Sequence, residues 1–137
     1  KRGVACSLHN LGILAQAIGD YEEARKLYQQ SLEILQQLGD KSGVASSLHN
    51  LGILAQATGD YDEARKLYQQ SREINQQLGN KSGIAVSQAQ LALLEEKMGN
   101  VKDALHLIRQ AEATFLELGS PYAKLAGEVR KRLEQNQ

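Results

Sequence analysis

Cys6 and His9 stand one helical turn apart, and His49 repeats His9 forty residues later. On a helix, positions i and i+3 share a face, so Cys6 and His9 could offer two ligands to one metal ion. A closed zinc site needs four ligands at about 2.0–2.3 Å, and no obvious fourth is supplied. Ser46 replaces the cysteine in the second copy, and Val86 and Ala89 stand in the third. Ser7 with His9, and His106 near Glu112, are the pairs with hydrolytic chemistry in principle. Neither lies in a nucleophile elbow, a phosphate loop or a setting of paired catalytic carboxylates. The expectation is no metal, no cofactor, no catalytic residue and no enzyme. Amide chemistry remains: the side chains of Asn10 and Asn50 donate and accept together, which suits a peptide unit.

These residues recur because the chain repeats. The stretch "SLHNLGILAQA" occurs at 7–17 and again at 47–57, and residues 1–40 match 41–80 at 33 positions. Residues 81–120 fit the same frame more loosely, at 13 positions against the second copy. Repetition at this period predicts a solenoid, in which each unit buries its apolar face against its neighbours. Glycine falls at 19, 39, 59, 79, 99 and 119, each followed by Asp, Asn or Ser. Glycine can close a helix in the left-handed conformation, and the next side-chain oxygen can cap the following helix. "DYEE" and "DYDE" add a glutamate three residues after the cap, a variant of the capping box. Pro121 is expected at the first position of the last helix.

Six breaks predict seven helices: A helices near 1–18, 41–58 and 81–98, B helices near 21–38, 61–78 and 101–118, and a closing helix over 121–137. The units are then 1–40, 41–80, 81–120 and a C-terminal cap, 121–137. In the cap, Tyr122, Leu125, Ala126, Val129 and Leu133 form one apolar side, with charged residues elsewhere. One position resists the pattern. Leu35 lies on the packing stripe of the first B helix, yet its counterpart is Asn75, read either as partly exposed or as part of a contact surface.

The bulk composition narrows the function. Lys+Arg and Asp+Glu both number 16, so no net field favours nucleic acid or an anionic membrane as the main partner. No apolar run approaches the roughly 18 residues of a transmembrane helix, and no signal-peptide pattern is seen. One cysteine rules out an internal disulfide framework and fits a reducing, cytoplasmic setting. The opening Lys-Arg-Gly suggests a piece of something longer.

The residues carry a family pattern. The first copy reads Leu8-x2-Leu11-Gly12-x2-Ala15, then Ala24-x3-Tyr28 and Ser31. The second gives Leu48, Leu51, Gly52, Ala55, Ala64, Tyr68 and Ser71. This resembles the tetratricopeptide repeat, W-x2-L-G-x2-Y then A-x3-F then P, over essentially the whole chain. The third copy (Gln88, Leu91, Ala92, Glu95, Ala104, Ile108, Ala111) departs most in its first helix. The usual tryptophan, the second aromatic of helix A and the closing proline are missing. The 40-residue period resembles the long-repeat branch of kinesin light chains, LGN-type scaffolds and bacterial signalling arrays. The resemblance implies an all-α, right-handed α-solenoid of three helix-turn-helix repeats plus a capping helix.

It also implies a concave groove, lined by the A helices, that binds an extended peptide or a partner's helix. The expected groove residues are His9, Asn10, Ile13 and Gln16, then His49, Asn50, Ile53 and Gln56, then Gln90, Leu93 and Lys97. Lys97 is the only cation among them, which argues against a clamp for an acidic tail and for a largely neutral peptide held within a scaffold or signalling protein. Near-identical copies share residues by duplication, so solvation alone is the competing account of Asn50. The rival function is structural: a self-associating or spacing array, assembling through Leu8, Leu11 and Leu14 at its N-terminal end.

Overall fold

The computed structural model describes all residues, 1–137. It contains seven α-helices: α1 Arg2–Ala17, α2 Tyr21–Leu38, α3 Lys41–Ala57, α4 Tyr61–Leu78, α5 Lys81–Lys97, α6 Val101–Glu117 and α7 Tyr122–Gln135. There is no strand, so the fold is the all-α helical repeat the periodicity predicts. Each predicted boundary lies within a residue or two of the observed one.

Local chemistry explains this agreement. Gly39 ends α2 at φ 70°, a left-handed conformation that a Cβ would strain. Asp40 then caps α3, its Oδ1 accepting from the Gly43 N–H at 3.0 Å. Asp20 accepts from Glu23 at 3.2 Å and Asn80 from Gly83 at 3.0 Å. Asn100 departs from the expected scheme. It stands at the N-cap of α6 without a side-chain cap bond, and its Nδ2 donates to Glu95 Oε1 at 2.8 Å. Pro121 lies one residue before the first turn of α7 rather than inside it.

The chain divides into two compact units, Lys1–Ile74 and Asn75–Gln137. In the first, Ala15, Ala24, Tyr28, Leu51 and Leu54 form a core, flanked by Leu27, Leu32 and Leu67. Gly12 and Gly52 make it possible. Cε1 of Tyr28 and of Tyr68 would each lie 2.6 Å from a Cβ placed on the facing glycine. Both rings therefore occupy the space a Cβ would take, against bare backbone. Ser31 and Ser71 complete the seam by donating to the carbonyls of Ala5 and Ala45, at 2.9 and 2.8 Å.

One packing expectation is corrected. Helical spacing puts Leu8, Leu11, Gly12 and Ala15 on one side of helix A, expected to pack on helix B, but Leu11 is 51% and Leu14 62% exposed. Their counterparts Leu51 and Leu54 are 6% and 3% exposed. Helix α3 is covered by α2 on one side and α4 on the other, whereas α1 packs mainly on α2 and meets α3 only along one side, at Ala15 and at the His9–Asn50 contact. Leu8 is half-buried.

In the second unit, Ala104, Leu105, Ile108, Phe115, Ala126 and Leu133 form the core that joins α6 to α7. Glu112, facing α7, accepts from Arg130 Nε at 2.6 Å, and Arg130 also donates to Glu134 at 3.0 Å. Hydrogen bonding to Glu112 raises the Arg130 pKa, and the bond from Arg109 lowers that of Glu134. Asn75 is neither exposed nor a contact surface. It is 7% exposed, and its Oδ1 accepts from Asn80 Nδ2 at 3.3 Å.

Candidate amide-lined binding face

The predicted face of the first unit is held in place by aromatic rings. Tyr28 donates its hydroxyl to Gln16 Oε1 at 2.8 Å, and Tyr68 does the same to Gln56 at 2.9 Å. The i→i+12 spacing is the same in both, so duplication copied the whole arrangement. Burial raises the pKa of both phenols, which keeps them neutral donors. Each glutamine has its carbonyl oxygen engaged and its NH2 left to donate. Gln16 and Gln56 are thereby pre-oriented donors rather than freely rotating amides.

His9 rests on Tyr28 with ring centroids 5.5 Å apart, and His49 on Tyr68 at 5.6 Å. Asn50 Nδ2 reaches His9 Nε2 at 3.3 Å. A donor–acceptor bond here requires the tautomer with its proton on Nδ1. This contact joins α1 to α3 across the predicted face and engages the Asn50 NH2, leaving its carbonyl oxygen for another donor. Ile13 is 48% exposed beside Asn10, which is also exposed, and Ile53 is half-buried. Among the eight predicted residues of α1 and α3, the structure brings His9 and Asn50 into direct contact and ties Gln16 and Gln56 to the tyrosines that carry His9 and His49. Gln90, Leu93 and Lys97 lie on α5 in the second unit, the first two half-buried and Lys97 exposed.

Burial lowers the pKa of His49 below its usual 6.5. Below about pH 6.5 the unfolded chain then binds the proton more readily than the folded one. Stability is accordingly complete above that pH and is lost as pH falls toward the folded-state value. Between pH 7.5 and 5, urea midpoints should drop further for the parent than for His49→Gln. Equal drops would remove His49 as the source.

Two features were not legible beforehand. A cleft of about 540 Å³ in the first unit has Leu54, Ala55 and Leu67 on its walls. Ala55 stands where the family pattern has an aromatic. A smaller cleft between α1 and α3 is lined by Asp40 as well as His9 and Asn10. The joint change of Leu35 and Asp40 to Asn75 and Asn80 was its only sequence signal. No group of three or more His, Cys, Asp or Glu is arranged to hold a metal ion, and Cys6 is exposed and free. No helix is long and apolar enough to cross a membrane.

Comparison with known proteins agrees with this architecture. No curated protein sequence matches the chain. Among solved structures, the apo form of RapI superposes with a TM-score of 0.92 at 12% identity, over 100% of this chain and 50% of that one. A putative kinesin light chain from Podospora anserina, with nearly identical TPR-like repeats, gives 0.82 at 24% identity over 98% of this chain and 67% of its own. The N-terminal domain of stress-induced protein-1 from C. elegans gives 0.75 at 19% identity over 97% and 96%. At these identities the likeness is one of fold, and this chain spans half the length of the RapI chain. The tetratricopeptide repeat model matches the sequence twice, over residues 3–77 and 43–117. By that match the chain belongs to the tetratricopeptide repeat family, whose members are repeat scaffolds for protein–protein interaction.

Proposed function

We propose that this chain is a non-catalytic interaction module, built as repeats 1–40, 41–80 and 81–120 with residues 121–137 as the cap. Its A-helix face binds a largely neutral peptide or helix of a partner protein, within a larger cytoplasmic scaffold or signalling protein. The observation that carries the reading is the tethering of Asn50 to His9 and of Gln16 and Gln56 to buried tyrosines. Pre-oriented amides lower the side-chain ordering that binding would otherwise cost, about 0.5–1.5 kcal/mol per side chain. Ile13 and Ile53 add apolar contact; on α5, Gln90 and Leu93 are the counterparts of Asn50 and Ile53, and Lys97 is that of Ala57. A peptide-display selection, counter-screened against Asn50→Ala/Ile53→Asp with helicity checked by circular dichroism, tests this. Enriched peptides should bind the parent and lose the variant at least tenfold. Equal binding to both would sink the reading.

The exposed Val4, Leu11, Leu14 and Ile18 favour a second reading, self-association through α1. Light scattering should then give a mass that rises with concentration and returns to the monomer value in Leu14→Glu. A constant monomer mass would exclude it.

A further inference from the structure

We propose that the cleft between α1 and α3 is a pocket for one basic side chain, lysine or arginine, of the peptide bound on the amide face. The proposal rests on that functional reading and adds to it a positional requirement for a cation. The cleft holds about 270 Å³ and is lined by Arg2, Cys6, His9, Asn10, Asp40 and Ser46, among others. That is below the roughly 300–1,000 Å³ of typical drug-sized ligand sites and suits a single long side chain.

Asp40 supplies the chemistry. Its Oδ1 is engaged in capping α3 through Gly43. Its Oδ2 is buried and accepts no hydrogen bond. A buried carboxylate oxygen without a donor is unfavourable, because its lost hydration is not replaced. The other repeat junction shows what would satisfy it. There the cap is Asn80, whose Oδ1 accepts from Gly83 while its Nδ2 donates to Asn75 Oδ1 at 3.3 Å. At the first junction the residue corresponding to Asn75 is Leu35, which lines the same cleft and has nothing to offer. The exchange of Leu35/Asp40 for Asn75/Asn80 thus separates a self-satisfied cap from one with an unfilled acceptor.

The chain itself indicates the occupant. The Arg2 guanidinium stands 3.4 Å from Asp40 Oδ2, without hydrogen-bond geometry, on a side chain 76% exposed. The Asp40 side chain is only 17% exposed, so the looseness lies on the arginine side, and a ligand cation with better alignment can displace Arg2. Arg2 occupies the mouth as a weakly held stand-in. The other titratable groups lining the cleft are Cys6 and His9. Asp40 is the only carboxylate among the lining residues.

The test uses Nα-acetyl-lysine methylamide as probe, titrated at low salt and followed by the amide signals of Gly43, Ser46 and Ser47. Nα-acetyl-norleucine methylamide is the uncharged control. Asp40→Asn keeps the cap, since Asn80 caps α5 at the same 3.0 Å, and should weaken the lysine probe by roughly tenfold or more. Arg2→Ala should strengthen it by about twofold to fivefold. Lys26→Ala, at an exposed α2 position outside the cleft, should leave it unchanged. No saturable shift, equal binding of norleucine, undiminished binding to Asp40→Asn, or no gain in Arg2→Ala would overturn the pocket. Displayed peptides that depend on Asn50 yet carry no basic residue would overturn it while leaving the binding face intact.

Discussion

Replacing Tyr68 by alanine is expected to lower stability by about 3–5 kcal/mol, the range for truncating a buried aromatic. Tyr68 is fully buried, and its ring covers the bare backbone of Gly52. Truncation leaves a void between α3 and α4 that neither helix can close without losing the Ser71–Ala45 bond. Tyr68→Phe separates the two parts of the loss. It keeps the ring and forfeits the hydroxyl bond to Gln56, at about 0.5–1.5 kcal/mol. Because Gln56 would then be free to rotate, the phenylalanine variant should also bind selected peptides more weakly at nearly parental stability. Denaturant midpoints for the alanine and phenylalanine variants measure the first effect. Equal midpoints for the two would contradict the packing described.

Gly52→Ala is expected to destabilise by about 1–3 kcal/mol, as overpacking does. The sign is the informative part. Inside a helix, glycine to alanine normally stabilises by roughly 0.5–1 kcal/mol. Here the new Cβ would lie 2.6 Å from Tyr68 Cε1 and 2.8 Å from Cδ1. The ring is enclosed and cannot swing away as the end of a flexible chain could. Gly3→Ala is the control, because a Cβ there meets nothing within 4 Å. It should be neutral or slightly stabilising. Ala64→Leu, at a residue with 0% exposure, overpacks the same seam and should cost about 1–3 kcal/mol. Thermal melts of the three variants settle the matter, and an unchanged melting temperature in Ala64→Leu would refute the seam.

The helix boundaries were legible because their causes are local. Gly39 at φ 70° and the Asp40 cap act within a few residues of each other, so sequence order is enough to place them. Asn100 shows where this fails. Its residue type permits a cap, but its amide is oriented by the bond to Glu95, about one turn back, and makes no cap bond. Asn75 failed for a similar reason: its position on the stripe was clear, but its partner Asn80 lies across a turn. Polar residues choose among partners by geometry, and the one-letter pattern does not carry that geometry.

The binding face divides along the same line. The side of helix A that carries His9, Asn10, Ile13 and Gln16 follows from helical spacing. That Gln16 is fastened by Tyr28, and Asn50 by His9, depends on three helices meeting.

The repeated stretch SLHNLGILAQA makes the distinction directly. By itself the sequence determined that both copies are helical, where each helix begins and ends, and that the chain is an all-α repeat. Only the tertiary structure decided that Leu51 and Leu54 are buried while the identical Leu11 and Leu14 are exposed. Helix formation is set by neighbours along the chain, within about one turn. Burial is set by whatever packs from elsewhere, so the same eleven residues have two environments.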